Sequence, residues 1–192
     1  MTTERIGIVV LAAGAATRFG ASKLSETMDG VPLVRRAVLA ATETGAQVVV
    51  VTGAHRNLIE PCIADLPSQC AFNANWADGM GASIACGIAV LATRCDAAII
   101  ALADQVRIGA EQFNALIAAH ASSPQRIIAA QFDGVIGPPC LFPRAYFAEL
   151  AELAGDRGAR ALLQRRADRV DSLPMPQAAV DVDTPEDAIA FL

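Results

Sequence analysis

Two cations stand five residues apart in a run of small residues: Arg18 and Lys23 in Leu11-Ala12-Ala13-Gly14-Ala15-Ala16-Thr17-Arg18-Phe19-Gly20-Ala21-Ser22-Lys23-Leu24. The run follows Ile6–Leu11, an apolar stretch that reads as a buried strand. A strand opening into a small-residue loop, with free backbone N–H groups and a lysine, is a phosphate cradle in physical terms. The chemistry it suggests is the grip of a nucleoside triphosphate. The loop fits neither GxxxxGK[ST], because Lys23 does not follow Gly20 directly, nor GxGxxG. A plain loop with two surface cations remains the alternative.

Two carboxylates complete the chemical inventory. Asp104 stops the continuous apolar run Ala97–Ala103, which brings a carboxylate to the end of a buried strand. Desolvating that charge is costly without a partner. A hard cation such as Mg²⁺, shared with substrate phosphates, would meet the need; capping the next turn is the alternative role. Asp183 stands just before a last helix with Pro185 at its first position and acids in its first turn.

The elements that must position these groups alternate. Strands are expected at Ile6–Leu11, Gln47–Thr52, Cys70–Asn73, Ala97–Ala103 and Ile127–Phe132, with Val170–Leu173 as an edge strand. Helices are expected from about Val31 to Thr44, Asn57 to Ala64, Met80 to Arg94, Ala110 to Ala121, Pro143 to about Leu153, and Ala159 to Arg166. Ile84, Ile88 and Leu91 align on one helix; Phe113, Leu116, Ile117 and His120 align on another. Gly134–Pro143, with two glycines and three prolines, reads as a loop or edge excursion and not as a central strand. Alternation of this kind predicts one α/β domain over residues 1–192, with a mainly parallel sheet covered on both faces. Ligands in such sheets bind beyond the carboxyl ends of the strands, where the first loop, Asp104 and Asp183 all fall.

Composition narrows the function classes. The 192 residues carry a net charge of −5, which argues against a nucleic-acid partner. No stretch approaches the ~20 apolar residues of a membrane span. The N-terminal apolar run passes straight into a charged loop, which argues against secretion and for the cytoplasm. Cys62, Cys70, Cys86, Cys95 and Cys140 form no CxxC pair and read as reduced structural residues. Ser83 in Gly81-Ala82-Ser83-Ile84-Ala85 lacks the last glycine of a nucleophile elbow and reads as a first-turn helix residue. His55 and His120 read as structural or solvated, and Asp156 as either a helix cap or a functional acid.

Taken together, the chain resembles the molybdenum cofactor cytidylyltransferase family, within the wider group of MobA-like nucleotidyltransferases. The resemblance rests on Leu11-Ala12-Ala13-Gly14 with Arg18 and Lys23, Gly30-Val31-Pro32-Leu33, Asn73 to Trp76 with Gly79-Met80-Gly81-Ala82-Ser83, and Ala103-Asp104-Gln105. Leu141-Phe142, Gly155-Asp156-Arg157-Gly158-Ala159-Arg160 and Asp181-Val182-Asp183-Thr184-Pro185-Glu186-Asp187 continue it through the C-terminal half. It implies a Rossmann-like nucleotidyltransferase fold and transfer of CMP from CTP to a phosphate-bearing acceptor, most simply the molybdenum cofactor, with release of pyrophosphate. A recipient molybdoenzyme is an implied further partner. By resemblance, Leu11, Ala12, Ala13, Gly14, Asn73 and Ser83 bind the nucleotide and Arg18 and Lys23 act on the triphosphate. Asp104 and Asp183 would hold Mg²⁺, or Mn²⁺ in its place. Ala13, where guanylyl-transferring relatives have glycine, points to CTP over GTP. The chain departs from the family pattern at Ala74, Val106 and Pro138, on the acceptor side. A sugar- or polyol-phosphate acceptor, and a cofactor-binding accessory protein with little turnover, are the competing readings.

Overall fold

Continuous runs of Val, Ile, Leu and Ala, too apolar for solvent on either face, must be buried on both, and three of them build adjacent parallel strands within the sheet. The computed structural model describes residues 4–15 and 22–181. In chain order the elements are β1 (Ile6–Ala12), β2 (Thr27–Met28), β3 (Val31–Pro32), α1 (Leu33–Thr42), β4 (Gln47–Thr52), α2 (Arg56–Ile59), β5 (Ser68–Phe72), α3 (Met80–Leu91), β6 (Ala97–Leu102), α4 (Ala110–Ser122), β7 (Ile127–Phe132), β8 (Val135–Pro143), α5 (Phe147–Ala151), α6 (Gly158–Arg165) and β9 (Val170–Pro174). The main sheet has the order β5-β4-β1-β6-β8-β7-β9. β8 runs antiparallel to both its neighbours, and every other pairing in this sheet is parallel. The expected α/β class, a mainly parallel mixed sheet with helices on both faces, is what the chain adopts.

Side chains of successive strand residues point to opposite faces, so each central strand feeds two cores. Ile8 and Val10, Val48 and Val50, and Ile99 and Ala101 pack with Val34 and Val38 of α1 and with Phe113 and Leu116 of α4. Val9 and Leu11, Val49 and Val51, and Ala98 and Ile100 pack with Ile84, Ile88 and Leu91 of α3, Leu150 of α5 and Leu162 of α6. Burying each of the Val, Leu, Ile and Phe side chains contributes about 1.5–3 kcal/mol. Gly87 lets α3 lie flat on the sheet, because a Cβ there would stand 2.4 Å from Val9 Cγ1. No helix among the described residues is long and apolar enough to cross a membrane.

Gly134–Pro143 corrects the expectation of a loop. Val135–Pro143 is a nine-residue strand between β6 and β7, well inside the sheet. Its prolines are tolerated because the ladder is interrupted where they stand. Gly137 pairs with Ala130 and Cys140 with Ala129, so Pro138 and Pro139 occupy the bulge between those rungs. On the β6 side, pairing runs only from Cys140 to Pro143. The Pro138–Pro139 peptide bond is cis.

Smaller differences follow from local chemistry. The first helix starts at Leu33, two residues later than expected, because Val31–Pro32 pairs with Thr27–Met28 in a hairpin. Asp29 and Gly30 form its turn with φ of 54° and 75°, the left-handed pair that such two-residue turns need. The expected helix at Asn57–Ala64 is split by Pro61 into α2 and a 3₁₀ turn over Glu60–Ile63. Pro143 ends β8 and is followed by a 3₁₀ turn before α5, so it does not open the helix itself. β9 pairs only with β7 and is the edge strand expected. The helix expected after Asp183 lies outside the described residues.

Candidate active site

The chain leaves β1 toward β4 and β5 on one side, then returns to place β6 on the other. The reversal opens a crevice beyond the carboxyl ends of β1 and β6, the place where open α/β sheets bind ligands. A cavity of about 450 Å³ lies there, and its wall includes Leu11, Ala12, Ala13, Gly14 and Ala15 from the first loop, Lys23, Ser83 and Asp104.

Lys23 and Asp104 meet in this wall. Lys23 Nζ donates to Asp104 Oδ2 at 2.9 Å. The lysine side chain is only 10% exposed and the aspartate 26%. An ammonium so enclosed requires a carboxylate, and the carboxylate at the strand end requires a cation. The pairing answers the desolvation problem that sequence raised for Asp104, and it does so by ion pairing and not by a turn cap.

The loop beside them is held from behind by the turn after β4. Ala54 N donates to Ala13 O at 3.1 Å, and His55 Nε2 donates to Ala15 O at 2.9 Å. Gly53 makes the approach possible. A Cβ there would lie 2.5 Å from Ala13 O and 2.7 Å from Trp76 Cβ. At Gly14, by contrast, an added Cβ would meet nothing within 4 Å among the described residues, and Gly14 itself lines the cavity. Ala13 is buried, with its methyl group turned toward Gly53.

Asn73 is not among the cavity-wall residues. It is buried one step behind, where Nδ2 donates to Ser83 Oγ at 3.1 Å and Oδ1 accepts from Asn75 N at 2.9 Å. Ser83, the fourth residue of α3, does reach the wall. Arg18 and Asp183 lie outside the described residues.

Trp76, Gly79 and Met80, which the sequence offers as parts of the family motifs without a role at the site, also line the cavity, as does Asp156, whose role the sequence leaves open between helix cap and functional acid. Asp156 makes no capping bond: the residue capping α6 is Arg157, and no side chain caps that helix. The carboxylate instead lies against Gly79, whose φ of +98° excludes side chains and whose added Cβ would stand 2.6 Å from Asp156 Oδ1. Backbone bonds lock the two segments, with Gly81 N donating to Gly155 O and Gly155 N to Asp78 O. The signal in the sequence was the glycine density of Gly79, Gly81, Gly155 and Gly158, which marks two backbones in close approach. Behind the crevice, Gln105 Nε2 donates to both Pro138 O and Ala178 O at 2.9 Å, tying β8 to the C-terminal segment.

The cysteines take no part. All five are free. Burial pushes the thiols of Cys70, Cys86 and Cys95 up, and that of the fully buried Cys140 far above the ordinary range. His120 is buried with Nε2 2.9 Å from Glu4 Oε1, away from the cavity. No group of three or more His, Cys, Asp or Glu among the described residues is arranged to hold a metal.

A sheet of this order, with a lysine–carboxylate pair and a small-residue loop at its switch point, has a Rossmann-like nucleotidyltransferase fold. The chain belongs to the MobA-like NTP transferase domain family, which it matches over residues 8–170. It is similar to the purine catabolism protein PucB of Bacillus subtilis, at 28% identity over 93% of this chain and 92% of that one. It is also similar to nicotine blue oxidoreductase of Paenarthrobacter nicotinovorans, at 30% identity over 96% of this chain and 95% of that one. Among solved structures, Rv0371c of Mycobacterium tuberculosis superposes with a TM-score of 0.85 at 24% identity, covering 100% of this chain and 99% of that one. A manganese complex of Rv0371c superposes with a TM-score of 0.79, covering 99% and 98%.

Proposed function

We propose that the protein transfers CMP from CTP to a phosphate-bearing acceptor, with the molybdenum cofactor as the acceptor and pyrophosphate as the leaving group. The observation that carries this reading is the Lys23–Asp104 pair facing a cavity walled by Leu11–Ala15. The family supports nucleotidyl transfer; the cytidylyl and molybdenum assignments rest on Ala13 and on the motifs that the chain shares with the molybdenum cofactor cytidylyltransferases.

The chain's own residues supply positioning and charge. The backbone of Ala12–Ala15 cradles the triphosphate, and Lys23 with Arg18 balances its charge. Trp76 offers an aromatic face in the same cavity for the base. An oxygen of the acceptor's phosphate attacks the α-phosphorus. The new P–O bond forms as the bond from the α-phosphorus to the α–β bridging oxygen breaks, and the electron pair leaves with pyrophosphate. Holding the two phosphates in line supplies most of what such a transfer needs.

The donor chemistry suits a hard divalent cation. Asp104 presents a carboxylate to the cavity, and Mg²⁺ commonly takes one or two carboxylates with substrate phosphates completing its shell. Asp104 would hold it, with Asp183 as the second ligand, and Mn²⁺ could replace it, as a manganese complex is known for Rv0371c. When bound, the ion would polarise the α-phosphoryl group and neutralise developing charge. The cytoplasm is the proposed location.

The test is pyrophosphate release with CTP, GTP, ATP and UTP, each with and without purified molybdenum cofactor. Release that needs both CTP and the cofactor is expected. Release with a sugar or polyol phosphate but not the cofactor would move the acceptor assignment, and GTP binding as tight as CTP by calorimetry would overturn the base assignment.

A further inference from the structure

A second cavity, of about 490 Å³, adjoins the first, and Met80, Leu102 and Asp156 line both. Its far side is the exposed face of α6, where Arg157, Arg160 and Gln164 recur at the i, i+3, i+7 spacing of a single helical face. The opposite face of α6 is buried through Leu162 and Leu163, so the helix cannot rotate these groups away. The two arginines make no hydrogen bond or ion pair among the described residues. Other arginines do have such partners: half-buried Arg35 with Asp65 and Arg126 with Asp171, and exposed Arg166 with Glu149.

We infer that this cavity is the acceptor subsite, and that Arg157 and Arg160 bind the anionic phosphate monoester of the acceptor. The inference rests on the transferase reading above. Two guanidinium groups one helical turn apart match the several oxygens of a phosphate dianion, which accepts paired N–H donors. Met80, Leu102 and Pro138 give the same cavity an apolar wall for the rest of the molecule. Asp156, at the joint between the cavities, repels an anion from its own side and leaves the Arg157–Arg160 side as the seat. Gly137 keeps the seat open, since a Cβ there would come within 3.3 Å of Arg160 Nε.

The experiment compares wild type with Arg157→Ala/Arg160→Ala and with Arg157→Lys/Arg160→Lys. Steady-state pyrophosphate release gives KM for CTP and for purified molybdenum cofactor. Calorimetric binding of that cofactor, a sugar phosphate and a polyol phosphate reads the subsite without turnover. The alanine pair is expected to raise the acceptor's KM or Kd roughly tenfold or more, with KM for CTP within about twofold of wild type. The lysine pair should recover part of the loss. Equal acceptor binding by wild type and the alanine pair would overturn the inference, as would no binding of any of the three phosphates to wild type. If wild type binds an acceptor phosphate through the two arginines but releases no pyrophosphate, the subsite stands and the transferase reading fails. Thermal melts check that both variants are folded.

Discussion

Lys23 Nζ stands 2.9 Å from Asp104 Oδ2, so residues 81 positions apart in sequence form one ion pair at the carboxyl end of the sheet. The pair links the first loop to the end of β6 across the crevice that the strand order creates. A divalent cation on Asp104 would share or displace the ammonium, freeing Lys23 for the triphosphate. The two residues therefore act as one unit, and their substitution effects should be strongly non-additive. If Lys23→Ala and Asp104→Ala each abolish most turnover, the double variant should lose little more.

The backbone of the first loop gives a contrast between two glycines. Gly53→Ala places a Cβ 2.5 Å from a backbone oxygen that no rotamer change can move. It should cost about 1–3 kcal/mol in denaturant unfolding and raise the KM for CTP, because Ala13 must shift. Gly14→Ala meets no described atom within 4 Å, so its unfolding midpoint should match wild type. If nucleotide lies against this backbone, its KM for CTP rises all the same. A Gly14→Ala variant with wild-type KM would remove the triphosphate from the loop.

Asn73 supports the site from behind. Asn73→Ala leaves the buried Ser83 hydroxyl and the Asn75 N–H without this partner, so a loss of about 1–3 kcal/mol in unfolding free energy is expected. The same variant should affect nucleotide affinity less than Ser83→Ala, since Ser83 reaches the cavity wall. Calorimetry with CTP separates the two, and an Asn73→Ala defect confined to CTP binding would show direct contact instead.

Acid stability reports the pairing of α1 with Asp65, just after the 3₁₀ turn at Glu60–Ile63. Arg35 holds Asp65 through two bonds, at 2.6 and 2.8 Å, and keeps its carboxyl at about 2, below the ordinary 3.8. A depressed carboxyl stabilises the fold above its unfolded value and loses that contribution as pH falls through the folded value. Wild type should therefore lose its advantage over Asp65→Asn between about pH 4 and pH 2. The pair is exposed, so the effect is modest and shrinks in high salt. Unfolding midpoints of both proteins from pH 2 to pH 7 provide the comparison, and parallel curves would contradict it.

Much of the architecture was legible because the central strands are fully apolar. Gln47–Thr52 is a strand with the expected ends, and Ile84, Ile88 and Leu91 bury the face of α3 that their spacing predicted. Val135–Pro143 was not legible, since proline removes a ladder donor and nothing local shows that a bulge will absorb the gap. Within the site, Lys23 and Asp104 could be proposed separately from strand-end chemistry, yet their contact depends on which strand lies beside β1. Gly53 and Asp156 carry no local signal for the same reason, whereas His55 is structural, one of the two readings its sequence setting allows. Their roles come from neighbours distant in sequence, and a glycine that permits a close approach carries no periodic signal.

Metal-assisted nucleotidyl transfer at the Lys23–Asp104 crevice stands or falls on Asp104. Its most direct measurement is the rate of CTP-dependent pyrophosphate release, with Mg²⁺ and purified molybdenum cofactor, by wild type and Asp104→Ala. Release by wild type should stop when the metal is chelated, and Asp104→Ala should lose at least about a hundredfold, within the range that charge-stabilising groups supply. Unchanged release by a folded Asp104→Ala protein would contradict it.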